Sequence, residues 1–163
     1  MNRKSSVSLP NDLDLVVIRD FRAPRALVFD AWTRPELMSR WLLGPPGWTM
    51  PVCEMDVRPG GRFRWRWRDA GGAEFGFTGE FREVVRPSRI VHTELYDPGD
   101  VGGDMGAECL VTTVFTQSKG ITTQTITIHY QSKADRDAAL GTGMTDGMEQ
   151  SFVQLDALLA QSG

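Results

Sequence analysis

Gly60-Gly61-Arg62-Phe63-Arg64-Trp65-Arg66-Trp67-Arg68 alternates guanidinium groups with rings at every second position. Successive side chains on a strand leave opposite faces of a sheet. The stretch is therefore a strand with Phe63, Trp65 and Trp67 on one face and Arg62, Arg64, Arg66 and Arg68 on the other. A helix would scatter those rings around its circumference. Glu74-Phe75-Gly76-Phe77-Thr78-Gly79-Glu80-Phe81 repeats the alternation after a break at Asp69-Ala70-Gly71-Gly72-Ala73. The glycines in that break supply the positive φ that a short hairpin loop requires. With Asp69 opposite Ala73, Trp67 faces Phe75, Trp65 faces Phe77 and Phe63 faces Gly79, while Arg68 faces Glu74 and Arg62 faces Glu80. A slip of one residue would set rings against charges, so the pattern fixes the register. The ring pairs carry the stabilisation, at about 0.5–1.5 kcal/mol each beyond area burial. The charged pairs belong on a solvated face, where each contributes at most about 1 kcal/mol.

Outward from this hairpin, Leu13-Asp14-Leu15-Val16-Val17-Ile18-Arg19-Asp20-Phe21 reads as a first strand. Ala23-Pro24 opens a helix whose apolar set is Leu27, Val28, Ala31 and Trp32. Thr33-x-x-Glu36 has the form of a capping box for a second short helix, with Leu37, Met38 and Trp41 as its stripe, ended by Gly44-Pro45-Pro46-Gly47. Strands are expected near 48–57, 62–69, 73–85, 89–96, 108–116 and 121–131. Phe81 and Val84 are out of phase by one residue, which predicts a bulge near Arg82 or Glu83. Ser132 is placed to cap a helix that Gly141 and Gly143 interrupt. The last helix, 145–160, carries the stripe Met148, Phe152, Leu155 and Leu159, which Met144 extends upstream.

A chain of 163 residues with a formal net charge of −3 fits a single domain, here 13–161 behind a polar, flexible tail 1–12. At this length folding buries about 70% of the unfolded surface, so no disulfide or metal staple is required. The acidic balance excludes a general nucleic-acid binder, because phosphate neutralisation dominates that affinity. Cys53 and Cys109 lie in strand-like segments without metal-ligand spacing and read as buried free thiols. No signal peptide and no run long enough to span a bilayer is present, so a cytoplasmic location is expected. Asp97, Asp100 and Asp104 sit in a Gly-rich loop, 97–106, but in no EF-hand spacing; no metal and no cofactor is expected.

The order of one strand, two short helices, six strands and a long last helix resembles the helix-grip fold of the START-related, SRPBCC superfamily. The nearest branch is the family named for the activator of heat-shock protein 90 ATPase. The residues that carry the resemblance are Ala23-Pro24-Arg25-Ala26-Leu27-Val28-Phe29-Asp30-Ala31-Trp32, Arg40-Trp41-Leu42-Leu43-Gly44-Pro45-Pro46-Gly47, Asp56-Val57-Arg58-Pro59-Gly60-Gly61-Arg62-Phe63 and Gly147-Met148-Glu149-Gln150-Ser151-Phe152-Val153-Gln154-Leu155. The family often has Trp-Trp-Gly-Pro where this chain has Leu42-Leu43-Gly44-Pro45, and Gly-Trp where it has Gly147-Met148. The resemblance implies an α+β fold: a curved antiparallel sheet of about seven strands wrapped around the last helix, enclosing a cavity. It also implies a stress-response setting, while the superfamily spans lipid and hormone binders, cyclases and chaperone regulators.

Three functions follow as expectations. The first is a binding protein that holds a small hydrophobic or aromatic molecule between the sheet and the last helix. Its lining would be Trp32, Trp41, Phe63, Trp65, Trp67, Phe75, Phe77, His92, Met144, Met148 and Phe152, with Trp32 and Trp41 either gating the open end or anchoring the short helices. Any one of these residues can equally be packed core. The second is a cyclase- or dehydratase-type enzyme, which needs an inward ionisable group from among His92, Glu94, Glu83 and His129, with Tyr96 and Tyr130 as polar tips. No catalytic triad or paired catalytic carboxylate is recognisable. The third is a chaperone regulator acting through its surface; the relatives that name the family carry a further domain upstream, for which 1–14 is too short, so this reading ranks last. Homodimerisation through the outer sheet or an edge strand is left open.

Overall fold

In the computed structural model, which describes residues 4–100, 102 and 106–162, the chain runs β1 (Ser6–Ser8), β2 (Asp14–Phe21), α1 (Arg25–Thr33), α2 (Pro35–Met38), β3 (Thr49–Met55), β4 (Arg62–Arg68), β5 (Glu74–Val85), β6 (Arg89–Asp97), β7 (Cys109–Ser118), β8 (Ile121–His129), α3 (Lys133–Leu140) and α4 (Met144–Ser162). The strands form one antiparallel sheet in the order β1-β2-β8-β7-β6-β5-β4-β3. One face of that sheet packs on α1 and α4, the α+β helix-grip arrangement.

The central hairpin has the register its alternation dictates: Trp67 faces Phe75, Trp65 faces Phe77, Phe63 faces Gly79, Arg68 faces Glu74 and Arg62 faces Glu80. Phe63, Trp65 and Trp67 are buried. Gly79 is required where it stands, because a Cβ there would collide with the Thr93 carbonyl and the Phe63 ring. The register of β5 against β6 shifts between Phe81 and Glu83, the bulge that the phase change predicts.

Three local expectations are corrected. The sheet has eight strands rather than about seven, because Ser6–Ser8 in the expected tail pair with Val16 to Ile18 of β2. Three residues of Ser-Val-Ser offer no periodicity to read, and their anchor lies far away: the Ser5 N–H and hydroxyl both donate to Glu149 Oε1 on α4, at 2.8 and 2.6 Å. The Thr33 capping box does not form. The Thr33 hydroxyl donates instead to the Phe29 carbonyl at 3.0 Å, ending α1, and α2 starts at Pro35 without a side-chain cap. The arginine face is not uniformly solvated either: Arg66 is largely buried, held by Glu74 at 3.3 Å and Asp97 at 2.8 Å. The Ser132 cap does form, its Oγ accepting from the Asp135 N–H at 3.0 Å.

Candidate functional site

The inner face of the sheet divides into two ends. At the end nearest α1 and α2 the large side chains are packed, and of the buried side-chain polar atoms there Gln124 Nε2 alone lacks a partner among the described residues. Trp41 is 0% exposed and its Nε1–H donates to the Ala31 carbonyl at 2.9 Å. The Trp32 ring stands edge-on to it, centroids 4.8 Å apart, and donates to Gln124 Oε1 at 2.6 Å. Phe152 of α4 fills the space against Phe21, Trp32 and Trp41. Trp32, Trp41 and Phe152 thus have the geometry of anchors between helices and sheet.

A buried cation reinforces this end. Arg19 lies on the inward parity of β2 and pairs in register with Gln124. Its guanidinium meets Glu149 at 3.0 Å and Asp156 at 2.8 Å on α4, and stacks 5.0 Å from the Phe21 ring centroid. Burial alone would raise the Glu149 carboxyl, yet the hydrogen bonds from Arg19 and Ser5 outweigh it and hold the group below the usual carboxylate range. Sequence reading passed over Arg19 and Gln124. Arg19 carried a signal nonetheless, a charge on the apolar parity Leu15, Val17, Phe21.

The other end is built from β4, β5, β6 and the start of α4. Phe63 and Trp65 stack at 4.1 Å; Trp67 contacts Phe75 and Phe77, and its Nε1–H donates to the Leu42 carbonyl at 2.6 Å. Phe75 meets Trp48 and Phe77 meets Tyr96. Met144 and Met148 of α4 pack against the buried core, and the Tyr130 hydroxyl donates weakly to Met144 Sδ at 3.6 Å. Met144 and Met148 are half-buried, as are Phe75 and Phe77.

Into this wall β6 projects an acid and a base. His92 packs against Phe63, Trp65 and Phe81, and its Nε2 lies 2.8 Å from Glu94 Oε2. Glu94 sits opposite Cys109 in the β6–β7 ladder. Burial pushes the Tyr130 phenol well above its ordinary range, with Cys109 and Glu94 adding to the effect; burial raises the Cys109 thiol in the same way. Two nitrogens here, Trp65 Nε1 and His92 Nδ1, have no hydrogen-bond partner among the described residues, although both residues are only 4% exposed. Buried polar atoms are paired in the great majority of cases, so two orphans in touching rings mark this spot.

Of the other ionisable candidates, Glu83 points outward to Arg89 at 2.9 Å, and His129 is exposed on Asp14 at 2.6 Å. Neither joins the interior. Cys53 is half-buried and its thiol is pushed up to about 11, chiefly by burial. Asp97 is taken by Arg66 and Asp100 by the Glu74 N–H, while Asp104 lies outside the described residues. No group of His, Cys, Asp and Glu suited to a metal occurs among the described residues. No helix among them is long and apolar enough to cross a membrane.

The sequence pattern of the family described as activator of Hsp90 ATPase homolog 1-like protein matches residues 22–160. The chain belongs to this family. The fold is shared closely with a Rhodobacter sphaeroides protein: 30% identity, a TM-score of 0.89, and coverage of 98% of this chain and 99% of that one. A Nitrosomonas europaea protein matches at 26% identity and a TM-score of 0.82, covering 94% of this chain and 98% of that one. A Silicibacter pomeroyi protein named AHSA1 shares the fold, with a TM-score of 0.71 at 19% identity over 92% of this chain and 99% of that one. None of the curated proteins matches. Family membership accounts for the helix-grip architecture and leaves the chemistry of the interior to this chain's own residues.

Proposed function

We propose that the protein binds a small apolar or aromatic molecule against the inner wall formed by Phe63, Trp65, Trp67, Phe75 and Phe77, beneath Met144 and Met148. The observation that carries this reading is the pair of buried ring nitrogens, Trp65 Nε1 and His92 Nδ1, set without partners in that aromatic wall. A wall meant only for packing stabilises the fold best with its polar atoms paired or absent. Rings supply affinity through burial of apolar area, at about 25 cal/mol per Å² before ordering costs. Met144 and Met148 are adaptable side chains that reshape around different guests. Native mass spectrometry of freshly purified protein tests the reading. A retained small molecule, or saturable uptake of an aromatic probe that Trp65 fluorescence reports, is the expected result; a chain that stays empty and takes up no probe sinks it.

The inward His92–Glu94 pair supports a second reading, a proton-transferring enzyme of the cyclase or dehydratase type. The carboxylate orients the imidazole through Nε2 and leaves Nδ1 without a partner among the described residues, an arrangement a general base can use. Turnover abolished by His92→Gln with binding retained would establish it. The chaperone reading draws on the family's description and on no feature of the interior, and a pull-down with the chaperone tests it.

A further inference from the structure

The chemistry of the two orphan nitrogens defines the polar group that the site accepts. A carboxylate can only accept hydrogen bonds, so in the contact of 2.8 Å with Glu94 Oε2 it is His92 Nε2 that carries the hydrogen. In the tautomer with its hydrogen on Nε2, the imidazole presents a lone pair at Nδ1, an acceptor with no donor among the described residues. Trp65 Nε1 is the converse. An indole N–H can only donate, and this one has no acceptor among the described residues. The two rings touch, their centroids 5.7 Å apart and their planes crossing at 70°. Phe63 and Phe81 close the surroundings of His92 with apolar rings.

One acceptor and one donor in adjoining rings suit a group that both donates and accepts through a single atom. A hydroxyl does this: its hydrogen goes to His92 Nδ1 and its oxygen receives the Trp65 Nε1 hydrogen. An ether or ketone oxygen would serve Trp65 and leave His92 unpaired. An ammonium would serve His92 and leave Trp65 unpaired. A carboxylate would bring a second negative charge beside Glu94 and offer His92 nothing to accept. We propose that the ligand is a phenol or alcohol on an apolar body, its hydroxyl held between His92 Nδ1 and Trp65 Nε1. This rests on the binding reading above and specifies it. Glu94 acts here as a positioning residue, because its grip on Nε2 is what leaves the lone pair at Nδ1.

The test is a titration of the full chain, labelled with ¹⁵N and followed by NMR, against two matched series: phenol, anisole and toluene, and 2-naphthol, 2-methoxynaphthalene and naphthalene. The Trp65 indole cross-peak is assigned as the one missing from Trp65→Phe. The hydroxyl compound of at least one series is expected to bind about tenfold or more tightly than its ether and hydrocarbon, since each of those strands a buried polar atom. It should also move the Trp65 indole resonance and the His92 Nδ1 resonance together. In Trp65→Phe the preference for hydroxyl over hydrocarbon should shrink several-fold while hydrocarbon affinity is kept. Equal affinities within both series, with both resonances unmoved, overturn the hydroxyl assignment and leave the binding reading standing. A hydroxyl preference undiminished in Trp65→Phe overturns the assignment to this pair. Failure of every compound to bind overturns the binding reading and the inference with it. The wild-type resonances decide the matter even where Trp65→Phe folds poorly.

Discussion

The two ends of the interior use the same residue types to opposite effect. Trp41 and Trp65 are both tryptophans in an aromatic cluster, and both are almost fully buried. Trp41 gives its indole hydrogen to Ala31; Trp65 gives its hydrogen to no described residue. Arg19 and His92 are both buried ionisable groups facing carboxylates. Arg19 is gripped on two sides by α4, whereas His92 is gripped on one nitrogen only. Saturated polar groups hold sheet and helix together; half-saturated ones cost stability and are kept where something else completes them. Gln124 Nε2 is the exception at the first end; the contrast otherwise suits anchoring there and the proposed binding at the second.

The contrast is most easily broken at Arg19. Arg19→Met leaves Glu149 and Asp156 facing each other without their cation and should cost about 3–5 kcal/mol in urea denaturation; a loss below about 1 kcal/mol would remove the clasp from the account. Gly79→Ala drives a methyl into the Thr93 carbonyl and the Phe63 ring and should cost about 1–3 kcal/mol or more, with the aromatic wall displaced. A silent substitution there would mean that the wall is loosely built.

Smaller effects separate the ends by pH. Glu149 is held below the ordinary value of about 4.3, so its stabilisation is complete above that pH and is lost as pH falls through the folded value. The acid limb of a Tm–pH curve should therefore flatten in Arg19→Met. Cys109 and Tyr130 are raised, so the stability of the neutral forms is kept below the ordinary values of about 8.5 for the thiol and about 10 for the phenol and is lost as pH climbs past each. The alkaline limb should survive Arg19→Met and weaken in Cys109→Ala. An alkaline limb that Arg19→Met also erases would join the two ends into one unit. The smallest change is expected from replacing both partners at the second end: His92→Leu with Glu94→Met should leave Tm within a few degrees of wild type, or higher, while abolishing any hydroxyl preference. A large loss of stability in that double variant would make the pair structural and reverse the assignment.

What could be read in advance followed the strength of local pattern. The β4–β5 register was legible to the residue because both faces were marked, one by rings and one by charge. The bulge after Phe81 was legible because it broke that same phase. In β6 the phase was hidden: Val91 and Thr93 are buried on one face and Ile90 and His92 on the other, so no alternation announced which way His92 points. The clasp at Arg19 joins residues 130 and 137 positions apart, and no local rule reaches that far. Thr33-x-x-Glu36 had the right letters for a cap, but Pro35 already set the entry to α2 and the Thr33 hydroxyl found the Phe29 carbonyl first. Of the lining residues named from sequence, Trp32, Trp41 and Phe152 gather at the filled end, and Phe63, Trp65, Trp67, Phe75, Phe77, His92, Met144 and Met148 at the other. Type and parity placed them all on the inner face; only tertiary geometry could divide them.

The position of the charged clasp along the last helix gives the molecule a direction. Glu149 and Asp156 pin the middle of α4 to β2, and Ser5, just ahead of the first strand, braces the Glu149 end. The turn that begins at Met144 lies ahead of these pins and is held by the packing of Met144 and Met148 and by the weak thioether contact from Tyr130, with Gly143 at a positive φ of 80° just before it. Peeling the helix away from its pinned stretch means separating opposite charges; lifting its leading turn means sliding methionines. On the proposed binding reading, traffic in and out of the interior would run past the methionines, like a drawer that opens from one side.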